Sequence, residues 1–402
     1  MSGTGPLDPV HVSLDATAVP PHPAGAGRYC LELAHALARR ADIELTIWTR
    51  SKDARRWVAP DAGGPAPVTI VPVAPSSRPA RLAWEQVRLP RLIARLPVGV
   101  HHGPHYTLPA AAKLPRVATI HDLTFFDHPE WHERTKVLLF RKAIRYAVAH
   151  ADGVVCVSSF TAARLDHLLG PLRPEIVSVI PHGVDHALFR PTEPTPGADA
   201  EALASLGIDG LGADGYPFVL SVGTVEPRKD LPTLVAAFGH LRRRHDDLRL
   251  VLAGGPGWRD ASAQLDRAID ASGAHDRVVR AGYVPDVVLP ALLRTAAAVA
   301  YPSIEEGFGL PALEAMACGA PLVTTTGSAM EEVASRAALL VPPQNATALA
   351  EALDEVLRGG AALADRRRTG IAEAGTFTWD ASADAHSVLY RLVGTLPPAR
   401  EE

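Results

Sequence analysis

Residues 298–324 read AVAYPSIEEGFGLPALEAMACGAPLVT, and this stretch decides the fold. Ala298 to Tyr301 is a short apolar run of buried-strand type, bounded by Pro302. The loop then turns through Gly307 and Gly309. Pro311 suits the first helical position, where its missing N–H costs nothing. Cys318-Gly319 ends the helix, with glycine as a left-handed cap. Leu322 to Thr324 is the next strand. Strand, loop, helix and strand in so few residues make a βαβ unit, which implies a parallel sheet. Glu306 falls in the loop and Glu314 about one turn into the helix. Eight residues span at most about 12 Å of helix, so the two carboxylates fit the two ends of a small diphosphate ligand. Amides of Phe308, Gly309 and Leu310 would point from the helix N-terminus at the anion between them.

The same rhythm extends in both directions. Upstream, Leu248–Ala253 and Phe218–Gly223 read as strands, and Val278–Ala281 lies between Leu248–Ala253 and the quoted stretch. Helical spacing covers 230–244, 261–272, 287–295, 311–318 and 346–357. Between about Phe189 and Tyr216 the pattern breaks into Pro191, Pro194, Pro196, several glycines and small polar residues, which reads as a linker. A short helix is expected near 201–206. Before the break, strands are expected at His11–Leu14, Ile43–Trp48, Val68–Val73, Val117–Ile120, Gly153–Val157 and Ile176–Ile180, with helices at 29–40 and 134–149. The expected organisation is therefore an N-terminal α/β domain over 1–190, a linker over 191–215 and a C-terminal α/β domain over 216–376. The last segment, 377–402, is expected to return as a helix to the first domain.

Composition excludes several classes. A net charge of -4 over 402 residues argues against a histone-like nucleic-acid binder or a long acidic tail. Cys30, Cys156 and Cys318 are far apart and form no CxxC pair, which fits a reducing compartment better than a disulfide scaffold. The start MSGTGPLDP has neither a basic nor an apolar region of signal type, and no apolar run reaches about 18 residues. A cytoplasmic protein is the expectation.

Other segments bring chemistry to strand ends. Gly223-Thr224-Val225-Glu226-Pro227-Arg228-Lys229-Asp230 follows a strand, and adjacent Arg and Lys suit a diphosphate, one as a fork and one as a point charge. Pro23-Ala24-Gly25-Ala26-Gly27-Arg28-Tyr29 opens the first helix, and its glycines let backbone approach a phosphate or sugar. Cys30 stands where a dinucleotide fingerprint has its last glycine, which argues against an NAD(P) enzyme. Thr119-Ile120-His121-Asp122 ends another strand. His101-His102-x-x-His105 and His128-x-x-x-His132 lack Cys ligands and the H-E-x-x-H pattern, so they read as surface or loop histidines. Arg81, Arg88, Arg91 and Arg95 share one arc of a helix over 81–96, which reads as a solvated face. Trp84-Glu85-Gln86 within it reads as structural. No Asp-x-Asp triplet offers ligands for a metal-held pyrophosphate.

Glu306 and Glu314, separated by seven residues with G-F-G-L-P between them, resemble the signature of retaining glycosyltransferase family 4, a GT-B fold group. The basic loop, His121-Asp122, the segments 157–161 and 180–185, and Phe377-Thr378-Trp379-Asp380 are similar to family segments in the same order. The likeness spans about residues 10 to 395. It implies two Rossmann-like domains whose parallel sheets face an inter-domain cleft. It also implies that Arg228 and Lys229 grip a donor diphosphate without a metal, and that no cofactor is needed beyond a nucleotide-sugar co-substrate. By the same resemblance Glu306 contacts the donor hexose and Glu314 the ribose hydroxyls. Gly27, Gly223, Phe308, Gly309 and Leu310 belong to the donor side, and His121 lies near the donor sugar. Arg28 and Asp122 are expected on the acceptor side. HDLTFFDHPE at 121–130 is similar to mannosyltransferase-like members. The implied activity is retaining transfer of a hexose, mannose from GDP-mannose first, to a glycan or lipid-linked saccharide of the cell envelope by front-face attack. A UDP-sugar donor is the alternative, followed by a nucleotide-sugar epimerase or a non-catalytic binding subunit. Nucleic acid is not an expected partner, and peripheral membrane contact through the N-terminal domain is a secondary expectation.

Overall fold

The computed structural model describes residues 8–395 apart from 22, 58–66, 194, 196, 209, 213, 214, 258 and 259. Pro194 and Pro196 of the expected linker, and most of the MSGTGPLDP start, lie outside the described residues. The chain forms two compact units. One runs to Gly183 and includes the chain from Trp379 onward; the other spans Val184 to Thr378.

In the first unit β1 (Val10–Asp15), β2 (Ile43–Arg50), β3 (Val68–Ala74), β4 (Val100–Gly103), β5 (Arg116–Ile120), β6 (Gly153–Cys156) and β7 (Val177–Val179) form one sheet in the order 3-2-1-4-5-6-7. Every adjacent pair is parallel, with Val12 opposite both Leu45 and Val100. In the second unit β8 (Phe218–Val222), β9 (Arg249–Ala253), β10 (Val278–Gly282), β11 (Ala298–Tyr301), β12 (Leu322–Thr325) and β13 (Leu339–Val341) follow the order 10-9-8-11-12-13, again all parallel. Each is a doubly wound sheet, which explains the continuous apolar strands: both faces are covered by helices. Phe218, Val219, Leu220, Leu250, Val251, Val299 and Val323 are all fully buried. Each order reverses once, at β1/β4 and at β8/β11, and ligands of such sheets bind beyond the carboxyl ends of the strands at that point.

Several elements differ from expectation. β4, with the sequence VHHG, reads as a histidine cluster, yet His101 and His102 are fully buried strand residues rather than surface ones. The helix expected over 81–96 is two helices, Arg78–Val87 and Leu89–Ile93, because Pro90 cannot continue the first. Arg81 leaves the solvated arc: it is buried and pairs with Glu85 at 3.5 Å, whereas Arg88, Arg91 and Arg95 are exposed. The first helix starts earlier, at Ala26, and the short helix expected near 201–206 is present over Ala198–Ser205. No helix among the described residues is long and apolar enough to cross a membrane.

The helix Trp379–Gly394 is last in sequence yet packs in the first unit's core. Leu389, Tyr390 and Val393 are buried there, and a Cβ on Gly153 of β6 would lie 3.2 Å from Val393 and 3.3 Å from Leu389, so the glycine permits close approach. Polar groups lock the same contact. The Tyr29 hydroxyl meets His386 Nε2 and Thr119 Oγ1, each at 2.9 Å. His102 bridges the Tyr390 hydroxyl at 2.7 Å and Thr119 at 2.8 Å. Ser387 Oγ donates to Asp42 at 2.7 Å. Burial keeps His102 and His386 neutral, with His386 pushed down to about 4. Tyr390→Ala should therefore destabilise the first unit by about 3–5 kcal/mol through the cavity it leaves and the partner it removes. Urea unfolding followed by tryptophan fluorescence measures this; an unchanged midpoint would mean that the C-terminal helix is not part of that core.

Candidate active site

The second unit brings its charged residues together where β8 and β11 adjoin. Beyond β8 the chain turns at Gly223 (φ 147°) and enters a short 3-10 turn, Pro227–Lys229. Asp230 then adopts a left-handed conformation (φ 46°, ψ 43°) before the helix Leu231–Leu241. That region is costly for most L residues and least so for Asn, Asp and Gly. Hydrogen bonds from Thr233 hold the Asp230 carboxyl, although burial still pushes it up. The turn aims Arg228 and Lys229 back toward the loop after β11.

There they meet Glu306. Lys229 Nζ donates to Oε1 at 2.5 Å, the Arg228 guanidinium donates to Oε2, and Ser303 Oγ donates to Oε1 at 3.1 Å. Glu226 takes the other side of Arg228 at 2.8 Å. Lys229 and Glu306 are each only 7% exposed, so their charges interact in a poorly screened environment. Burial alone would push the Glu306 carboxyl up; the charges of Arg228 and Lys229 overcome it and hold the group at about 2. Main-chain bonds fix both loops: Ile304 N–H donates to the Arg228 carbonyl at 2.8 Å, and Ala329 N–H to the Glu306 carbonyl at 3.2 Å.

The helix bearing Glu314 runs from Leu310 to Ala317, so Pro311 is its second residue rather than its first. Gly309 caps it with φ 102°, and a Cβ there would lie 2.6 Å from Met330 Sδ. Glycine is therefore required twice over, for conformation and for space. Glu314 is 5% exposed and sits beside the buried Tyr301 hydroxyl, whose pKa burial and Glu314 together raise. Phe308 is buried edge-on to Phe377, with centroids 6.1 Å apart. Arg228, Lys229, Glu306, Gly223 and the 307–310 turn thus converge at the carboxyl ends of β8 and β11.

Sequence reasoning passed over a third loop. Gly254-Gly255-Pro256-Gly257 follows β9, and a Cβ on Gly254 or Gly257 would fall 2.0 Å from the Gly223 carbonyl oxygen or 1.4 Å from that of Val225. These glycines let the 254–257 loop lie directly on the basic loop. A glycine run at a strand's carboxyl end was the available signal.

The first unit holds the remaining expected residues. Gly27 is the second residue of the helix Ala26–Ala38; its amide donates to the Ala24 carbonyl at 3.0 Å, and a Cβ would press on Pro23 at 3.1 Å. Arg28 is half-buried. His121 is 8% exposed and donates from Nε2 to the Pro104 carbonyl at 2.7 Å, which leaves Nδ1 as the acceptor nitrogen. Burial lowers its pKa, and the rings of Tyr29, Tyr106, His105 and His182 surround it at 5.0 to 6.1 Å. Asp122 does not bond the His121 ring. Its carboxylate accepts from Thr124 N–H at 3.3 Å and Thr124 Oγ1 at 2.9 Å, at the first residue of the short helix Thr124–Asp127.

Comparison with known proteins gives the family. Residues 23–188 match the model of Glycosyltransferase Family 4, and residues 209–374 match that of Glycosyl transferases group 1. O-antigen chain mannosyltransferase B of Escherichia coli is 31% identical over 299 residues, which cover 73% of this chain and 74% of that protein. D-inositol 3-phosphate glycosyltransferase of Xylanimonas cellulosilytica is 31% identical over 412 residues, covering 94% and 93% respectively. Among solved structures, sucrose-phosphate synthase from Thermosynechococcus elongatus shares the fold, with a TM-score of 0.74 at 24% identity over 95% of this chain and 98% of that one. The chain belongs to glycosyltransferase family 4, and it is a glycosyltransferase with the GT-B architecture.

Proposed function

We propose that this glycosyltransferase moves a hexose, mannose from GDP-mannose, to a glycan or lipid-linked saccharide with retention of anomeric configuration. The observation that carries the reading is the pair of cations, Arg228 and Lys229, gathered on Glu306 at the strand-order reversal of the second unit. A diphosphate is the ligand that can take both: Arg offers a fork to two oxygens and Lys a point charge. The two cations then offset the charge that builds on the leaving nucleoside diphosphate, which is the role a metal would otherwise fill.

The state of Glu306 argues about mechanism. A carboxylate held at about 2 and committed to two cations and a hydroxyl is a poor nucleophile and a poor base. Front-face transfer needs neither. The bond from the anomeric carbon to the phosphate oxygen breaks, the acceptor oxygen bonds to the same face, and its proton passes to the departing phosphate. The protein supplies orientation and charge stabilisation. When the diphosphate engages Arg228 and Lys229, Glu306 turns its oxygens to donor hydroxyls, Glu314 takes the ribose, and the 307–310 turn faces the anion. In the first unit, His121 presents Nδ1 to the sugar.

Mannose rests on the 121–130 segment and on the name of the Escherichia coli relative. The second reading, transfer to an inositol phosphate, draws on the name of the Xylanimonas cellulosilytica relative, which matches nearly the whole chain.

Calorimetric titration with GDP, UDP and ADP, without and then with Mg²⁺, tests the donor. Selective GDP binding that does not need Mg²⁺ and weakens at least roughly tenfold in Glu314→Ala is expected, in line with losing a charged hydrogen-bond partner. Selective UDP binding would overturn the mannose assignment, and no binding would overturn the donor site. Arg228→Ala and Lys229→Ala should each lower donor turnover by about 10²–10³. Release of GDP from GDP-mannose measures it, and activity within a few-fold of wild type would remove those residues from the mechanism.

A further inference from the structure

Trp84-Glu85-Gln86 lies on the helix Arg78–Val87, and its polar side chains point at one loop, 103–110, which follows β4. Gln86 grips that loop from both ends of its amide. Nε2 donates to the Leu108 carbonyl at 3.0 Å, and Oε1 accepts from Ala110 N–H at 3.1 Å. Glu85 is fully buried, and its Oε1 accepts from Gln86 Nε2 at 3.4 Å. The loop is tight. A Cβ on Gly103 would lie 2.1 Å from the Thr107 carbonyl oxygen, and Tyr106 is held at φ 62°. A bulky aromatic residue takes that conformation only where its surroundings impose it. The same loop contributes the Pro104 carbonyl that receives the His121 Nε2 proton, and Tyr106 N–H donates to Thr119, two residues before His121.

We propose that Gln86 is a positioning residue for His121, acting through the 103–110 loop to fix the ring orientation and the tautomer that leaves Nδ1 as acceptor. The inference rests on the donor-side role given to His121 above. The imidazole can present Nδ1 to a ligand only while Nε2 keeps its proton on Pro104. The carbonyl stays in place only while Gln86 holds the loop. No substrate contact is assigned to Gln86.

The test is a double-variant cycle read by GDP release from GDP-mannose, with GDP affinity as control. Gln86→Leu is expected to lower kcat roughly tenfold at unchanged GDP affinity. Combined with His121→Ala it should cost no more than His121→Ala alone, since the two act through one group. Independent losses that multiply would overturn the proposal. Should Gln86→Leu fold poorly, Gln86→Glu, which loses the donor to the Leu108 carbonyl and to Glu85, takes its place. The imidazole ¹⁵N signals of His121, identified by their loss in His121→Ala, give a readout independent of turnover. Signals unmoved by the Gln86 variant would overturn the positioning role. If wild type neither binds GDP nor turns over GDP-mannose, the donor reading fails while these signals still decide the loop coupling.

Discussion

The Arg228–Glu306–Lys229 contact is the constraint on which the second unit's site is built. Its members come from loops 77 and 78 residues apart in sequence, brought together because β8 and β11 are neighbours in the sheet. Gathering two cations on one carboxylate in a nearly closed site carries a large desolvation penalty, and removing one member would leave an unpaired buried charge. Such an arrangement persists because the backbone over-determines it. The Arg228 and Glu306 carbonyls each accept an amide from the neighbouring chain, and three glycines, 223, 254 and 257, let the loops approach closely. An ion triad of this kind is poor evidence for stability and better evidence for a site whose charges await another anion.

Much of this was readable from the residues because the code is local. Buried parallel strands show as apolar runs, and the chemistry lies just beyond them, so Arg228, Lys229 and Glu306 could be named from their place after a strand. What escaped is non-local or breaks the pattern. β4 was missed because VHHG puts two histidines in a core, and their partners, Tyr390 and Ser13, lie 288 and 88 residues away. β13 escaped because three residues carry too little periodicity. The helix Ala361–Ala374 is rich in charge and exposes most of its surface, so no apolar stripe announces it. Arg81 was placed with the exposed arginines because helical spacing gives an arc and not its neighbours. One of them, Thr17, whose hydroxyl accepts from Arg81 at 3.4 Å, is 64 residues earlier.

The two units solve one topological problem with opposite chemistry. Each sheet reverses its strand order once, and each reversal opens a crevice at strand carboxyl ends. In the second unit that position carries ionised side chains held in register by a carboxylate. In the first, β1 and β4 lead to groups that burial keeps neutral: His101, His102 and His121 with lowered pKa values and Glu85 with a raised one. A cationic surface suits phosphate. The two reversals thus differ in the protonation of their side chains and not in topology.

That contrast also explains why the first unit tolerates so many buried polar groups. Tyr29, His102, Thr119, His386 and Tyr390 form a closed relay in which each ring nitrogen or hydroxyl has a partner. His386 Nδ1 donates to the Ser382 carbonyl at 2.7 Å, so its Nε2 must accept from Tyr29, whose proton is thereby committed. A fully satisfied network of this kind fixes one arrangement where an apolar core would permit several. It holds the C-terminal helix to the strands that precede the 103–110 loop and His121. Residues 382–390 therefore help set the geometry of the first unit's strand ends, through hydrogen bonds that few sequence patterns reveal.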